Sequence, residues 1–148
     1  MTIEHGVGDL LQANVDALVN PVNVVGVMGK GLALQFKKAF PDVLKAYKRA
    51  CDSGELVIGR VHVVQRETPP QFILHFPTKE HWKNPSKIDF IRSGLIDLVE
   101  QVRVREIKSI AIPPLGCGLG GLNWSEVKTL IVNAFAALPD VRVVLFEP

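Results

Sequence analysis

A chain of 148 residues, 47% of them hydrophobic, is typical of one globular domain with a core of its own. Its formal net charge of +2 is too small to indicate nucleic-acid binding through bulk electrostatics, so any contact with DNA has to be local. No segment approaches the roughly 20 apolar residues of a membrane span, and residues 1–11 lack the basic-then-apolar pattern of a signal peptide. A cytoplasmic protein with no membrane partner is expected.

The first two predicted strands are short apolar runs. Residues 3–7 predict an opening strand, followed by Gly8 and Asp9, and residues 17–19 predict a second strand that ends at Asn20 and Pro21. Neither run alternates cleanly between apolar and polar residues. Such runs suit strands that are covered on both faces.

Residues 22–40 (VNVVGVMGKGLALQFKKAF) contain a glycine-rich loop that enters a helix. Gly26, Gly29 and Gly31 fall within six residues, and apolar residues then recur at helical spacing. The free N–H groups of a helix N-terminus suit an anion, so a phosphate cradle is predicted, with a plain structural turn as the alternative. The spacing G-x-x-G-x-G matches neither the dinucleotide fingerprint nor the Walker loop. A Rossmann dehydrogenase and a P-loop NTPase are therefore disfavoured.

The middle of the chain predicts a helix, a hairpin and a second helix. An apolar stripe over residues 43–50 closes at Gly54, as helices often do. Residues 59–65 and 72–76 predict two strands close enough in sequence to pair as a hairpin. Ser86, with Asp89 three residues later, then predicts the start of a long amphipathic helix that continues to residue 102.

The last third predicts a buried strand over residues 109–112, then a second glycine-rich loop over residues 115–122. Asn123 with Glu126 predicts a capped helix that runs to residue 138, and residues 141–146 predict a closing strand. Strands and helices thus alternate from end to end, which predicts a three-layer α/β/α domain with a mixed sheet of about six strands. In such sheets ligands bind beyond the carboxyl ends of the strands. Two main-chain cradles at that edge suit a diphosphate.

The two cysteines do not indicate a metal or disulfide site. Cys51 and Cys117 lie far apart and have no partners at the spacing of metal ligands. We expect no metal and no cofactor.

Three separated motifs, in one order, resemble the macrodomain family of ADP-ribose-binding modules: GDLLQANVDALVNPVN, GVMGKGLALQFKKAFP and IPPLGCGLGGLNW. The resemblance covers essentially the whole chain and implies a single macrodomain over residues 1–148, which can be the N-terminal domain of a longer protein. The first loop (MGKG), the PTK motif and the GCGL loop resemble the branch that contains the terminal ADP-ribose protein glycohydrolase. The stretch FPTKEHWKNPSKIDFIRSGL is more similar to the DarG type.

The DarG-type resemblance implies a function. Macrodomains of this type are antitoxins that remove ADP-ribose attached to thymidine in DNA by a DarT-type toxin. The expected activity is therefore that of a metal-independent DNA ADP-ribosyl glycohydrolase, whose partners are ADP-ribose, ADP-ribosylated single-stranded DNA and the toxin. A monomer is expected.

The resemblance also assigns residues to parts of ADP-ribose. Asp9 accepts a hydrogen bond from the adenine amino group, with Leu10 as its main-chain neighbour, and Asn23 lies by the distal ribose. Asn20 is a further candidate for binding ADP-ribose, and Asn23 is the favoured one of the two. The residues that line the two phosphate loops are Gly29, Lys30, Gly31 and Leu32 in the first, and Pro114, Leu115, Gly116, Cys117, Gly118 and Leu119 in the second.

Lys79 is the expected catalytic residue, because it matches the family's lysine and follows a predicted strand at its carboxyl end. Breaking the N-glycosidic bond builds positive charge on the anomeric carbon, so the site must supply a nucleophile or manage a proton. Direct action on the distal ribose is favoured, and the sequence leaves open whether Lys79 is a nucleophile, a base or an electrostatic stabiliser. A non-catalytic ADP-ribose reader would need both loops but not Lys79.

The substrate is indicated by the residues around Lys79. His81 and Trp82 are candidates for stacking on a base, and Lys83 for a contact with a DNA phosphate. The protein-directed branch of the family has an aspartate where this chain has Gly120, which favours DNA as the substrate. ADP-ribosylated acidic side chains and O-acetyl-ADP-ribose are the alternative substrates.

Overall fold

A computed structural model describes residues 2–148. In this part of the chain six strands, four α-helices and two short 3-10 helices follow one another. The strands are β1 (Thr2–His5), β2 (Ala17–Asn23), β3 (His62–Gln65), β4 (Phe72–Lys79), β5 (Ser109–Ile112) and β6 (Arg142–Leu145). The α-helices are α1 (Gly31–Ala39), α2 (Pro41–Ser53), α3 (Ile88–Val104) and α4 (Trp124–Phe135). The 3-10 helices span Leu10–Gln12 and Gly118–Gly120.

The six strands form one mixed sheet in the order β1-β6-β5-β2-β4-β3. All neighbours are parallel except β3 and β4, which form the predicted antiparallel hairpin. The carboxyl ends of β2, β4 and β5 therefore meet at the same edge of the sheet, and the two glycine-rich loops leave from β2 and β5 at that edge. The predicted fold class is confirmed.

Helices cover both faces of the sheet, as the lack of clean alternation predicted. Ala17 and Val19 of β2 pack into the larger core, which includes residues of α3 and α4. Leu18, which points to the opposite face, packs with Phe36 of α1 and Val43 of α2. All three β2 side chains are fully buried. These contacts form the three layers.

No helix within residues 2–148 is long and apolar enough to cross a membrane.

The second strand is longer than the predicted 17–19, because Asn20 and Pro21 do not end it. Strand β5 pairs only with Ala17 and Leu18 at the start of β2, whereas pairing with β4 continues to Asn23. Pro21 has no N–H to donate, but it lies beyond the last ladder pair with β5, where a proline is tolerated. The end of β2 is therefore free on one side to border a cavity.

One predicted helix cap is wrong and another is confirmed. Helix α3 begins at Ile88 with Lys87 as the N-cap residue, and Ser86 makes no capping bond. At α4, by contrast, the Oδ1 atom of Asn123 accepts from the N–H of Glu126 at 3.2 Å. Most other element bounds lie within three residues of those predicted, and β5 has the predicted bounds.

Gly94 of α3 allows the helix to pack closely on β4. A Cβ atom at this position would lie 2.4 Å from the Cζ atom of Phe76, which is fully buried. We expect Gly94→Ala to lower the free energy of unfolding by about 1–3 kcal/mol, although alanine normally stabilises a helix interior. Urea denaturation measures the effect. Adding Phe76→Leu should relieve part of the clash, and a Gly94→Ala variant as stable as the wild type would contradict this packing.

Candidate functional site

The carboxyl edge of the sheet carries a cavity of about 530 Å³. Its wall is formed by the end of β2, the first glycine-rich loop and the start of α1, the end of β4 with the following loop, and the second glycine-rich loop after β5. The charged side chains of this wall, among residues 2–148, are Lys30 and Lys79, and none is acidic. A cavity with two cationic side chains and no carboxylate suits an anionic ligand.

Asn23 fixes the shape of the first glycine-rich loop. Its Nδ2 atom donates to the carbonyl of Val27 at 2.7 Å, and its Oδ1 atom accepts from the N–H groups of Val25 and Val27 at 3.2 and 3.3 Å. The hydroxyl of Tyr47, a fully buried residue of α2, lies 2.8 Å from both the carbonyl and the Oδ1 atom of Asn23. Burial raises the pKa of the Tyr47 phenol, so it remains a donor. The amide thus ties the loop to β2 and α2.

The first loop ends at the N-terminus of α1. Lys30 is the N-cap residue and makes no side-chain capping bond, and Gly31 has a φ of 59°, in the left-handed region that favours glycine. The N–H groups of the first helical turn have no partners within the helix. Together with the positive end of the helix dipole they provide the geometry that a phosphate cradle requires.

The second loop also presents its main chain to the cavity. Gly116 has a φ of 73°, and a Cβ atom there would lie 2.6 Å from Leu122, so only glycine fits. Cys117, on the cavity wall, is half-buried, and burial raises the pKa of its thiol. A neutral thiol is a poor nucleophile. Cys117 is therefore part of the wall rather than a reactive group.

Lys79 connects β4 to the second loop. The residue is the last of β4 and is half-buried, and its Nζ atom donates to the carbonyls of Leu119 at 3.3 Å and Trp82 at 3.5 Å. An ammonium group has three N–H donors, so these two contacts leave one for a ligand. The side chain is thus held at the cavity wall between the two loops.

Ser86 occupies the space beside Gly120. A Cβ atom at Gly120 would lie 2.4 Å from the Oγ atom and 3.0 Å from the Cβ atom of Ser86. The N–H of Ser86 also donates to the carbonyl of Gly120 at 3.0 Å, while its buried hydroxyl has no partner. No side chain, and hence no acid, fits at position 120 while Ser86 is in this place.

We expect Gly120→Ala to destabilise the second loop and to weaken binding in the cavity. Relief of the overlap requires Ser86 to move, at a cost of about 1–3 kcal/mol. Adding Ser86→Gly should recover most of the loss in a double-mutant cycle of urea denaturation. A full loss in Gly120→Ala that Ser86→Gly does not reduce would contradict this contact.

The structure brings most of the predicted site residues to the cavity wall. These are Asn23, Gly29, Lys30, Gly31, Leu32, Lys79, Trp82, Pro114, Gly116, Cys117, Gly118 and Leu119. The sequence analysis did not place Val27, Thr78, Ser86 or Pro113 there. The only sequence signal that could have placed these four residues at the cavity is that they lie next to residues of the predicted site.

The other predicted residues lie outside the wall. Asp9 is exposed, and its carboxylate accepts from the N–H of Leu11 at 3.0 Å and caps the 3-10 helix that contains the buried Leu10. Asn20 is fully buried in β2, where its Nδ2 atom lies 3.3 Å from the Nδ1 atom of His75. Burial lowers the pKa of His75 to about 3, so this imidazole is neutral and accepts from the amide.

Three more predicted residues lie next to the wall. Leu115 is fully buried beneath the second loop. The His81 ring lies beside the Trp82 ring at a tilt of 33°, with ring centroids 5.1 Å apart, and the Nζ atom of Lys83 lies 5.1 Å from the centroid of the Trp82 ring. No group of three His, Cys, Asp or Glu residues that could hold a metal ion occurs within residues 2–148.

The family follows from a comparison with known domains. A model of the Macro domain matches residues 19–131, which include both glycine-rich loops and Lys79. The chain belongs to the macrodomain family.

This macrodomain is similar to proteins from Mycobacterium tuberculosis and Thermosipho africanus. It is 51% identical to a curated DNA ADP-ribosyl glycohydrolase from Mycobacterium tuberculosis over 99% of the chain and 42% of that protein. It superimposes on the macrodomain of Mycobacterium tuberculosis DarG with a TM-score of 0.97 and 50% identity, covering 99% of this chain and 98% of that one. The chain thus spans less than half the length of the full curated relative.

Relatives from Thermosipho africanus add a second comparison. A curated DNA ADP-ribosyl transferase-DNA ADP-ribosyl glycohydrolase fusion protein is 40% identical over 95% of this chain and 40% of the fusion. A solved structure of Thermosipho africanus DarTG in complex with ADP-ribose matches with a TM-score of 0.89 and 42% identity, again over 95% and 40% of the two chains.

Proposed function

We propose that this macrodomain binds ADP-ribose in its cavity and removes it from thymidine in single-stranded DNA. The observation that carries the proposal is the position of Lys79, held at the wall between two main-chain phosphate cradles by the carbonyls of Leu119 and Trp82. The curated relative named DNA ADP-ribosyl glycohydrolase, 51% identical over nearly the whole chain, supports the same reaction. The structure of Thermosipho africanus DarTG in complex with ADP-ribose supports ADP-ribose as the ligand.

The reaction replaces a C–N bond by a C–O bond. The bond between the anomeric carbon of the distal ribose and the thymine nitrogen breaks, its electron pair stays on the nitrogen, and a proton returns there. Water supplies the hydroxyl of the released ADP-ribose. We propose that the Lys79 amino group acts at the distal ribose, where positive charge develops. Among the wall residues within residues 2–148, Lys79 is the only one with an ionisable side chain that lies at the end of a β-strand.

The wall's lack of a carboxylate favours this use of lysine. Ser86 fills the space next to Gly120, so an acid at that position cannot serve as a base or orient water. The alternative of a non-catalytic reader is less well supported, because a reader has no need of a lysine fixed by two carbonyl contacts. We extend the proposal to Asp9 and Leu10 at the adenine. Asn20 is fully buried beside His75, so we propose no contact between it and the ligand.

Comparing three substrates at equal concentration tests the proposal. We expect the wild type to release ADP-ribose from a single-stranded oligonucleotide modified on thymidine much faster than from an ADP-ribosylated glutamate peptide or from O-acetyl-ADP-ribose. Faster release from the glutamate peptide or from O-acetyl-ADP-ribose would contradict the DNA substrate and indicate an ester substrate instead. ADP-ribose binding by calorimetry without release from any of the three would make the chain a reader.

Turnover should not depend on a metal. The described residues contain no group of three potential metal ligands, and the proposed reaction uses the Lys79 amino group rather than a metal-bound water. We expect the initial rate on the modified oligonucleotide to change by less than about two-fold after EDTA treatment and desalting. A loss of activity that Mg²⁺ or Zn²⁺ restores would contradict the proposed chemistry.

The fusion protein suggests the biological setting. One chain that joins a DNA ADP-ribosyl transferase to a DNA ADP-ribosyl glycohydrolase places addition and removal of the same modification together. We propose that this macrodomain acts as an antitoxin against a DarT-type toxin, as a monomeric domain in the cytoplasm. Co-expression with such a toxin tests it, since protection should require Lys79.

A further inference from the structure

The mouth of the cavity carries an unusual share of exposed apolar side chains. Eight large hydrophobic residues are exposed within residues 2–148, and Val27, Trp82 and Leu119 are three of them that also line the cavity. We call these three the apolar rim. Leu119 is 67% exposed and Trp82 is 46% exposed, although burial of either would be favourable. Exposed apolar groups around a cleft mark a surface that a partner covers.

The rim is not explained by ADP-ribose itself. The diphosphate and the two riboses are polar and charged, and the flat adenine ring is assigned to Asp9 and Leu10, which lie outside the cavity wall. Another part of the substrate therefore has to cover the indole ring of Trp82 and the side chain of Leu119. The group attached to the anomeric carbon is the one part of the substrate that lies outside ADP-ribose.

Lys79 places that group next to the rim. Its Nζ atom donates to the carbonyls of Trp82 and Leu119, so the same two residues hold the lysine with their main chains and present apolar side chains at the mouth. If Lys79 acts on the distal ribose, the departing group leaves from a point between Trp82 and Leu119. A flat leaving group such as a nucleobase would then lie near both apolar side chains.

The charge near Trp82 suits nucleic acid. The Nζ atom of Lys83 lies 5.1 Å from the centroid of the Trp82 ring, and the His81 ring lies beside the indole at 5.1 Å. Glu80 is the one acidic residue between Lys79 and Lys87, and it is exposed. A base on the indole therefore has a cation close by for the phosphate that follows it.

We propose that the apolar rim is a nucleobase subsite, in which the thymine that carries ADP-ribose stacks on Trp82 and contacts Leu119 and Val27. The inference rests on the proposed function and adds the basis of its substrate choice. A base must be unpaired to enter this subsite, so the substrate is single-stranded or locally opened DNA. The carboxylate of an acidic side chain has no flat apolar face, and the rim gives it no advantage.

Trp82→Ala is the variant that tests the subsite. We expect kcat/KM on the modified thymidine oligonucleotide to fall about 10- to 100-fold, the range for one lost base–aromatic stack. The Kd for free ADP-ribose should stay within about two-fold of the wild type, because the loop carbonyls and both phosphate cradles remain. Trp82→Phe should restore most of the rate. Ile96→Ala, which removes an exposed apolar side chain of α3 that does not line the cavity, is the matched control and should leave both values unchanged.

The outcomes separate the subsite from the proposed function. An active wild type with a Trp82→Ala variant of equal kcat/KM would overturn the subsite and leave the proposed function intact. A variant that loses ADP-ribose binding in parallel would also overturn it, because Trp82 would then support the cavity itself. A wild type that binds ADP-ribose but releases none from the oligonucleotide would overturn the proposed function, and the subsite with it.

Discussion

Lys79→Ala is expected to reduce release of ADP-ribose from modified thymidine by at least about 10²–10³-fold, the scale for removing one group that stabilises developing charge. The Kd for ADP-ribose should change by less than about three-fold, since we propose that the main chains of both glycine-rich loops bind the phosphates. Single-turnover release and titration calorimetry on the same preparation give the two values. Lys45→Ala, at an exposed position of α2, is the matched control.

Lys79→Arg distinguishes the roles that the lysine can play. Arginine keeps the positive charge but is always protonated, so it can stabilise the negative charge that develops on the departing thymine without acting as a nucleophile or base. Partial activity in this variant would indicate electrostatic stabilisation, whereas activity as low as in Lys79→Ala would favour a nucleophile or base. If Lys79→Ala also lost ADP-ribose binding, Lys79 would be a ligand clamp and the proposed catalytic role would be wrong.

Asn23→Ala should have the second largest effect, because this one amide shapes the first glycine-rich loop. The substitution removes its bonds with Val25, Val27 and the Tyr47 hydroxyl, and leaves Tyr47 with the Asn23 carbonyl as its acceptor. We expect the Kd for ADP-ribose to rise by about 10-fold or more and the free energy of unfolding to fall by about 2–3 kcal/mol. Calorimetry and urea denaturation measure these changes.

Two further variants serve as comparisons for the effect of Asn23→Ala on the Kd and on the free energy of unfolding. Tyr47→Phe removes one donor from the same network and should have a smaller effect of the same sign. Asn133→Ala, at an exposed position of α4, should change neither value. If Asn23→Ala bound ADP-ribose like the wild type, the glycines and the helix N-terminus alone would determine the shape of the loop.

Local sequence signals account for much of the fold and for the position of both glycine-rich loops at the cavity. The glycine spacing before α1 and the apolar repeat after it are properties of neighbouring residues, and the structure has the loop and the helix in the predicted order. Lys79 could be placed at the cavity because it follows an apolar strand whose carboxyl end faces ligands. The alternation of strands and helices is also visible in local patterns, and it predicted the mixed sheet with helices on both faces.

Contacts between distant residues could not be predicted in this way. The sequence pattern suggested that Ser86 caps α3, but the serine instead packs against Gly120, which lies in another loop. The bonds from Lys79 to Leu119 and from Tyr47 to Asn23 also join separate elements. Such contacts depend on how β4, β2 and β5 are arranged in the sheet, and no local pattern encodes them.

The polarity of a residue likewise did not show whether its side chain is buried in a strand or exposed in a turn. Asn20 follows an apolar run, which is typical of a turn at the end of a strand, but pairing of β2 with β4 continues through it and places it opposite His75. The two side chains satisfy part of each other's hydrogen-bonding capacity in the interior. Burial of a polar pair of this kind requires two strands to be in register, and the sequence of either strand alone does not specify that.

The most direct test is incubation of the wild type and Lys79→Ala with a single-stranded oligonucleotide that carries ADP-ribose on one thymidine. A gel shift follows the loss of the modification with time. The account predicts that the wild type restores the mobility of the unmodified strand and that Lys79→Ala does not. An unchanged oligonucleotide with the wild type, in a preparation that binds ADP-ribose, would contradict it.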